Sequence, residues 1–297
     1  MDGSQLLNFH PRKQRTIAAT ATVEGFGYWS GYDVRVEFRS ADQDTGIVFV
    51  RSDLDGHPRM VASLANRQES PLRTSLRCGG VGVEMIEHIM AALAGLRIDN
   101  CEVWVDQAEM PGCDGSSSPF VEALANAGIV EQDAERACLT ICQPIRLGSE
   151  TSWIEVVPHA TQHARYAYDL DYGDGPIGRQ SLELDLVPDV FVRELAPSRT
   201  FVRKEEADML RERGLGLRAT YADLLVFDAD GPVENTLRFP DECVRHKLLD
   251  MVGDMALAQC DVIGRFRAFR SGHRLNAALL REVLAQHRIS QARRRCA

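Results

Sequence analysis

The sequence lacks three features that would restrict its location or its partners. No apolar run reaches the roughly 20 residues that a membrane-spanning helix requires. The N-terminal stretch MDGSQLLNFHPRKQR has neither the apolar segment nor the cleavage site of a signal peptide. Positive charge is also not in excess, and a net charge of −9 disfavours nucleic acid and anionic membranes as partners. We therefore expect a cytoplasmic protein with no membrane span and no nucleic-acid partner.

Paired cysteines are absent as well. The chain has eight cysteines, and none of them forms a CxxC pair with another. This spacing provides neither a cysteine zinc site nor a disulfide framework. Reduced, mostly buried thiols are expected instead.

What the sequence does contain is an order of elements that occurs twice. In the first half a hairpin in RTIAATATVEGFGYWSGYDVRVEFRSA precedes the helical pattern EMIEHIMAALAGL, the strand CEVWVDQ and the helix PFVEALANAGI. In the second half CLTICQPIRL, SWIEVVP, YAYDLDY and QSLELDLV predict an antiparallel sheet. The helix DECVRHKLLDMVGDMALA, with Asp241 at its N-cap, the strand DVIGRFRAF and the helix HRLNAALLREVLAQ follow.

These patterns predict an α+β fold of two similar domains. Each domain would have a sheet layer and a helix layer, and the two helix layers would pack against each other. We place the first domain at 1–132 and the second at 133–297, joined by the linker-like stretch IVEQDAERA. The second domain would carry a small βαβ-like insertion at about 198–230.

The helix pattern CVRHKLLDMVGDMAL has an unusual polar stripe. His246, Asp250 and Asp254 are spaced by four, so on a helix they share one face, whereas Val244 and Leu248 lie on the other. Two histidines and one carboxylate form a common ligand set for catalytic zinc. His246 and Asp250 are therefore candidate ligands of one ion.

A third ligand must come from another segment. His88 is the best candidate, since the preceding residue, Glu87, is placed to take a proton from water as a general base. Ferrous iron suits two histidines and a carboxylate nearly as well as zinc does. The residues alone also allow simpler interpretations.

Taken alone, His246 and Asp250 could form an ion pair on the helix surface. Asp254 could pair in the same way with Arg245 or Lys247. Glu87 and His88 would then be ordinary side chains on the protein surface.

Several segments taken together resemble a known family. IEHIMAALAGLRIDN, PGCDGSSSPF, SRTF, LRFPDECVRHKLLDMVGD and SGHRLNAALL resemble the UDP-3-O-acyl-N-acetylglucosamine deacetylases, the LpxC family, along nearly the whole chain. The resemblance implies two α+β domains with the site between them. It also implies a cytoplasmic, zinc-dependent amidase of lipid A biosynthesis that releases acetate from an acylated UDP-sugar. A nucleotide sugar with an acyl chain would be its small-molecule partner, and a monomer is expected.

The resemblance also implies roles for particular residues. His88, His246 and Asp250 would hold the metal, and Glu87 would be the general base. His273 would be the acid and Asp254 would orient it, and the further residues are Thr200, Lys247, Arg270 and Phe201. Among these, Thr200 would donate to the developing oxyanion, and Lys247 and Arg270 would lie near the substrate's phosphates. Tyr168, on the predicted strand YAYDLDY, is a separate candidate for substrate binding.

Two segments depart from the family pattern. Trp29 stands where the family usually has His, and Arg218 and Ala219 stand where it usually has two glycines. Of these, Trp29 and Arg218 are expected to narrow or close the passage for the acyl chain. Two alternatives therefore stay open: a related enzyme that deacylates another N-acylated amino sugar or nucleotide sugar, and a catalytically silent binding or regulatory protein.

Overall fold

The computed structural model describes residues 12–70 and 72–295, which form a mixed arrangement of helices and sheets. The first ten strands are β1 Lys13–Ile17, β2 Ala21–Phe26, β3 Asp33–Ser40, β4 Ile47–Arg51, β5 Arg59–Val61, β6 Arg67–Gln68, β7 Ser75–Cys78, β8 Val81–Glu84, β9 Cys101–Val105 and β10 Ile129–Glu135. The remaining strands are β11 Cys138–Thr140, β12 Ile145–Gly148, β13 Trp153–Val157, β14 Arg165–Asp171, β15 Arg179–Asp185, β16 Phe201–Arg203, β17 Leu225–Phe227, β18 Asp261–Ile263 and β19 Arg265–Phe269. The helices are α1 Glu87–Gly95, α2 Ser118–Asn126, α3 Pro188–Val190, α4 Lys204–Glu212, α5 Glu242–Met255 and α6 His273–Arg295. Within the described ranges, no helix has the length and apolarity to cross a membrane.

Two five-stranded sheets share one topology. The strand order of the first sheet is β2-β3-β9-β4-β5, and that of the second is β12-β13-β19-β14-β15. In each sheet only the third and fourth strands of this order run parallel, and the other neighbours run antiparallel. The repeated order of elements in the sequence therefore corresponds to a repeated sheet topology.

Alternating side chains place each sheet against the core. In β3, Val34, Val36 and Phe38 are buried, whereas the residues between them face outward. Side chains alternate across a strand, so this pattern gives one apolar face. Helix α2 packs against the first sheet, and helices α5 and α6 pack against the second. The apolar faces thus meet in a continuous core.

Helices α1 and α5 lie against each other, as the sequence predicted for the helices that carry His88 and His246. Gly253 allows this close approach, because a Cβ atom at this position would lie 2.2 Å from the carbonyl oxygen of Glu87. The absence of a side chain at residue 253 brings the start of α1 against the last turn of α5. This contact sets the distance between the two predicted ligand-bearing segments.

The predicted insertion forms a small unit of its own. Strand β16, helix α4 and strand β17 follow one another, and the two strands pair in parallel. The stretch thus has the strand–helix–strand order and the parallel pairing of a βαβ unit.

Four details of the secondary-structure prediction were wrong. The stretch IVEQDAERA is not a linker: its residues form β10, which pairs antiparallel with β1, and Ile129, Gln132 and Ala134 of this strand are half-buried. DVIGRFRAF forms two strands, β18 and β19, in different sheets. The second sheet is not wholly antiparallel, because β14 and β19 run parallel. Asp241 lies at the N-cap of α5, but its carboxylate accepts from Arg245 and caps no backbone N–H group.

Candidate functional site

A large cleft runs between the insertion, α1, α5 and the start of α6. We call it the main cleft, and its volume is about 1060 Å³. The candidate residues that line it are Glu87, His88, Thr200, Phe201, His246, Lys247, Asp250 and His273. A neighbouring cleft of about 680 Å³, called the basic cleft, is lined by Tyr168, Leu170, Asp171, Tyr172, Gly173, Arg179, Arg203, Lys247, Arg270 and Ser271. Lys247 and Tyr172 line both clefts, so the two adjoin at these residues.

The three predicted metal ligands lie together on the floor of the main cleft. One ligand atom from each of His88, His246 and Asp250 lies within 4.8 Å of the others, and all three side chains are buried. Helix α1 supplies the first residue and α5 supplies the other two. Their spacing of four places both residues of α5 on the side that faces α1.

Hydrogen bonding orients the His246 ring. Its Nδ1 lies 3.2 Å from the carbonyl oxygen of Ser198, so Nδ1–H donates there. Nε2 is left with its lone pair, 3.4 Å from Asp250 Oδ1, and His88 Nε2 lies 3.7 Å from the same oxygen. A metal ligand is commonly oriented by such a bond from its other ring nitrogen.

Burial keeps both imidazoles neutral. It lowers the pKa of His246 to about 3 and also lowers the pKa of His88. A neutral imidazole has the free lone pair that a metal ion requires. The electrostatics of the site therefore suit a cation.

Asp250 is held ionised beside Lys247. Burial would raise the pKa of Asp250, but the groups around it, His246 first and then Lys247, His273 and His88, together hold this pKa below its usual range. The ammonium group of Lys247 lies 2.9 Å from Oδ2. Burial lowers the pKa of Lys247, but the Asp250 carboxylate outweighs this effect and raises the pKa of Lys247 above its usual value. Asp250 thus presents Oδ1 toward the two imidazoles and Oδ2 toward the ammonium group.

Glu87 is a buried carboxyl group at the edge of this cluster. Its Oε2 accepts a hydrogen bond of 2.9 Å from the backbone N–H of Thr74. Burial raises the pKa of Glu87 to about 7, against the opposing charge of His273. A carboxyl group with this pKa exchanges protons readily near neutral pH.

His273, the first residue of α6, is held by two side chains, and a third bonds one of these two. Its Nδ1 lies 2.8 Å from Asp254 Oδ2 and 3.2 Å from the Thr74 hydroxyl group. Asn276 donates to the same Asp254 oxygen at 2.8 Å, and the Thr74 hydroxyl donates to the other. Burial favours the neutral ring, but Asp254 outweighs it and raises the pKa of His273 to about 9. This imidazole is therefore protonated at neutral pH.

Sequence reasoning missed two residues of this network. Thr74 lies before β7 in a stretch that showed no regular pattern, and it bonds Glu87 through its N–H and Asp254 through its hydroxyl. Asn276 lies one turn after His273, and that spacing was a signal available in SGHRLN.

Thr200 and Phe201 enter the cleft from the start of β16. The backbone N–H of Thr200 donates to the carbonyl oxygen of Gly115 at 2.7 Å, which fixes this residue beside the PGCDGSSSP loop. The Phe201 ring packs edge-on against His246, with 6.3 Å between ring centroids, and against Tyr172 at 5.6 Å. Phe201 therefore forms an apolar wall beside the ligand cluster.

Tyr168 and Arg270 lie in the basic cleft and not among the residues that line the main cleft. The Tyr168 hydroxyl donates to the carbonyl oxygen of Ser271, so this bond fixes the ring. Arg179, Arg203, Lys247 and Arg270 give this cleft several positive charges. Such a surface suits an anionic group.

The substitutions at the passage have unequal consequences. Trp29 and Ala219 line the main cleft, and the guanidinium of Arg73 stacks on the Trp29 ring at 4.8 Å. Arg218 does not line the cleft, because its side chain turns outward to the loop that joins β2 and β3. The expectation that Arg218 narrows the passage was therefore wrong.

The simpler interpretations of the polar stripe are also wrong. His246, Asp250 and Asp254 are exposed by only 2%, 5% and 1%, so they form no surface ion pair. Glu87 and His88 are buried to a similar degree. Asp254 contacts His273, Thr74 and Asn276, not a basic residue of its own helix.

Two neutral imidazoles and an ionised carboxylate, with a second carboxyl group and a charged imidazole beside them, define the class of metal-dependent hydrolases. Residues 14–285 match the model of the LpxC family, UDP-3-O-acyl N-acetylglycosamine deacetylase. The chain belongs to this family.

Curated relatives agree with this assignment. The chain is similar to proteins named UDP-3-O-acyl-N-acetylglucosamine deacetylase from three genera of bacteria. It is 37% identical over 275 residues to the protein of Psychrobacter cryohalolentis, covering 92% of this chain and 86% of the relative. It is 38% identical over 275 residues to that of Thioalkalivibrio sulfidiphilus, covering 92% and 90%. It is 37% identical over 274 residues to that of Brucella ovis, covering 92% and 95%.

Proposed function

We propose that this protein removes the N-acetyl group from UDP-3-O-acyl-N-acetylglucosamine and releases acetate in lipid A biosynthesis. Family membership and the names of the relatives support this activity. The observation that carries it is the meeting of His88, His246 and Asp250 with Glu87 and His273 on one cleft floor.

The donor set fits a divalent cation. His246 has only Nε2 free, both histidines are neutral, and Asp250 is ionised beside them. We propose that these three side chains hold Zn²⁺, and ferrous iron suits the same donors. When bound, the cation supplies Lewis-acid polarisation of an amide carbonyl and of water.

Glu87 is proposed as the general base. Its carboxyl group lines the main cleft next to the ligand His88, and Thr74 fixes one of its oxygens. The free oxygen accepts a proton from the attacking water. Because Glu87 precedes a ligand on the same helix, α1 positions both groups together.

His273 is proposed as the general acid. Amide hydrolysis expels a poor leaving group, the amine, which must receive a proton as the C–N bond breaks. The protonated ring lines the cleft opposite the Asp254 carboxylate that charges it. Thr200 is proposed to donate to the oxyanion.

The shape of the two clefts supports the substrate class. The insertion lines the main cleft with Val202, Met209, Leu210, Leu215, Leu224 and Val226, called the apolar arm below. An acyl chain suits this arm. The diphosphate is proposed to lie in the basic cleft near Lys247 and Arg270, with Tyr168 and Phe201 contacting the rest of the substrate.

We also propose a division of the chain into two α+β units with this site between them. The repeated sheet topology supports two units. Since β10 pairs with β1, the boundary falls after β10 rather than at residue 132. A cytoplasmic monomer is proposed for the protein.

One observation favours a related substrate as the second candidate. Trp29 lines the main cleft where the family usually has His, and its indole adds apolar surface to this cleft. An enzyme that deacylates another N-acylated amino sugar would be consistent with this substitution.

Acetate release tests the proposal. The zinc-loaded protein is incubated with UDP-3-O-acyl-N-acetylglucosamine and, in parallel, with UDP-N-acetylglucosamine, which has no acyl chain. The proposal expects acetate from the acylated compound and much slower release from the other. Stoichiometric zinc without acetate from the acylated substrate would favour the second candidate.

A further inference from the structure

Two segments far apart in the sequence form one wall of the main cleft. Tyr28 and Trp29, from the loop between β2 and β3, line the cleft beside Leu215, Gly216 and Ala219 of the insertion. The segments touch each other, since a Cβ atom at Gly216 would lie 3.8 Å from the carbonyl oxygen of Tyr28. The position of the insertion loop relative to the hairpin loop therefore sets the width of the cleft there.

Arg218 holds the outer side of this wall. Its Nη1 lies 2.9 Å from the carbonyl oxygen of Gly31 and 2.7 Å from Asp33 Oδ1. The guanidinium also lies over the Phe26 ring, 4.3 Å from its centroid. One side chain thus contacts three neighbouring positions of the hairpin. A planar guanidinium makes such combined contacts, and a lysine does not.

A second contact holds the side of this wall that faces the main cleft. The Tyr28 hydroxyl donates to the carbonyl oxygen of Asp223, which lies after Arg218 in the insertion loop. The chain between these two contacts carries Ala219, which is buried and lines the cleft. Arg211, on α4, donates to the carbonyl oxygen of Ala219 at 2.8 Å and restrains the loop from the other direction.

We propose that Arg218 is a positioning residue that sets the acyl-chain selectivity of the main cleft. This inference rests on the proposed function. Arg218 acts from outside: it fixes residues 215–219 against the hairpin, so that the wall of the apolar arm keeps one width. Binding of a long chain depends on that width, whereas the chemistry at Glu87 and His273 does not.

The exposure of these groups makes the effect separable from folding. The side chains of Arg218 and Asp33 are exposed by 46% and 85%. Exposed ion pairs contribute little to overall stability. Loss of the contact is therefore expected to loosen one loop and leave the fold intact.

The test compares three variants of the full-length, zinc-loaded protein. Arg218→Ala and Asp33→Ala remove either side of the contact. Arg146→Ala is the matched control, because Arg146 also pairs with a carboxylate, Glu155, and lies over an aromatic ring but does not line the main cleft. The substrates are acylated UDP-N-acetylglucosamines with chains of increasing length.

Removal of the contact is expected to change KM and not kcat. For the preferred chain length, KM should rise about fivefold in Arg218→Ala, because a loosened wall weakens binding of the acyl chain equally in the ground state and the transition state. The dependence of KM on chain length should flatten. Asp33→Ala should change KM in the same direction, and Arg146→Ala should behave like the unmodified protein.

Hydrogen exchange provides a readout that is independent of turnover. Residues 26–33 and 213–224 should exchange faster in Arg218→Ala and Asp33→Ala, and not in Arg146→Ala. An unchanged KM profile in both Arg218→Ala and Asp33→Ala, with acetate still released, would overturn the selectivity role alone. If the unmodified protein released no acetate from any acylated substrate, the proposed function and the selectivity role would fall together. Unchanged exchange at both segments would overturn the positioning contact itself.

Discussion

His273 Nδ1 lies 2.8 Å from Asp254 Oδ2, which joins the first turn of α6 to the last turn of α5. The charged groups that face this ring are Asp254, Asp250 and Glu87, and all three raise the pKa of His273 against the effect of burial. Asp254 contributes most of this shift. The contact explains why a buried imidazole carries a proton at neutral pH.

Substitution of Asp254 by Asn should lower the pKa of His273 from about 9 toward the ordinary value for histidine. The acid must be protonated, so activity should fall as the pH rises through this pKa. The alkaline limb of the kcat/KM profile should therefore move to lower pH in Asp254→Asn. Asp169→Asn removes a partner of Arg267 outside the main cleft and is the control. An alkaline limb that stays in place in Asp254→Asn would contradict the role of Asp254.

Substitution of Glu87 by Gln should abolish most of the turnover without loss of metal. The amide oxygen of Gln can still accept from the Thr74 N–H, so the local structure should be preserved. Loss of a general base lowers the rate by about 10²- to 10⁴-fold. Steady-state kinetics and metal analysis of the same sample check this. Glu122→Gln, on the exposed side of α2, serves as the control. Metal-free Glu87→Gln protein would show a structural role instead.

Joint substitution of His88 and His246 by Ala should remove the metal. Only Asp250 would remain of the ligand set, and one carboxylate does not hold zinc at micromolar concentrations. Elemental analysis after dialysis should find stoichiometric metal in the unmodified protein and none in the double variant. His163→Ala is the control, because His163 contacts Arg97 and lies outside the main cleft. This variant should retain stoichiometric metal. Metal retained by the double variant would rule out the proposed ligands.

Substitution of Gly253 by Ala should destabilise the protein. The new methyl group would lie 2.2 Å from the carbonyl oxygen of Glu87, so α1 and α5 would have to move apart. Overpacking of this kind costs about 3 kcal/mol in the free energy of unfolding. Urea denaturation measures the loss, and metal affinity should fall with it. Gly175→Ala, which meets no atom within 4 Å, should be neutral. Equal stability of the two variants would show that the helices are not held this closely.

Local patterns in the sequence were sufficient for the main elements and for most of the site. The hairpin of β2 and β3, the helices α1, α2, α5 and α6 and the βαβ insertion were all predicted. Strand β4, in the middle of the first sheet, was not, although its apolar run IVFVR was a usable signal. Strand β10 was missed because it has few apolar residues and its burial does not alternate regularly.

The amino-acid sequence alone determined which residues are the candidates for the chemistry, because a spacing of four fixes a helix face and the motifs fix the family. Only the tertiary structure decided which distant groups meet them. Thr74, Asn276 and the carbonyl oxygen of Ser198 act through contacts that no local periodicity encodes. The same holds for Arg218, whose side chain turns away from the cleft because Gly31, Asp33 and Phe26 offer it better partners outside.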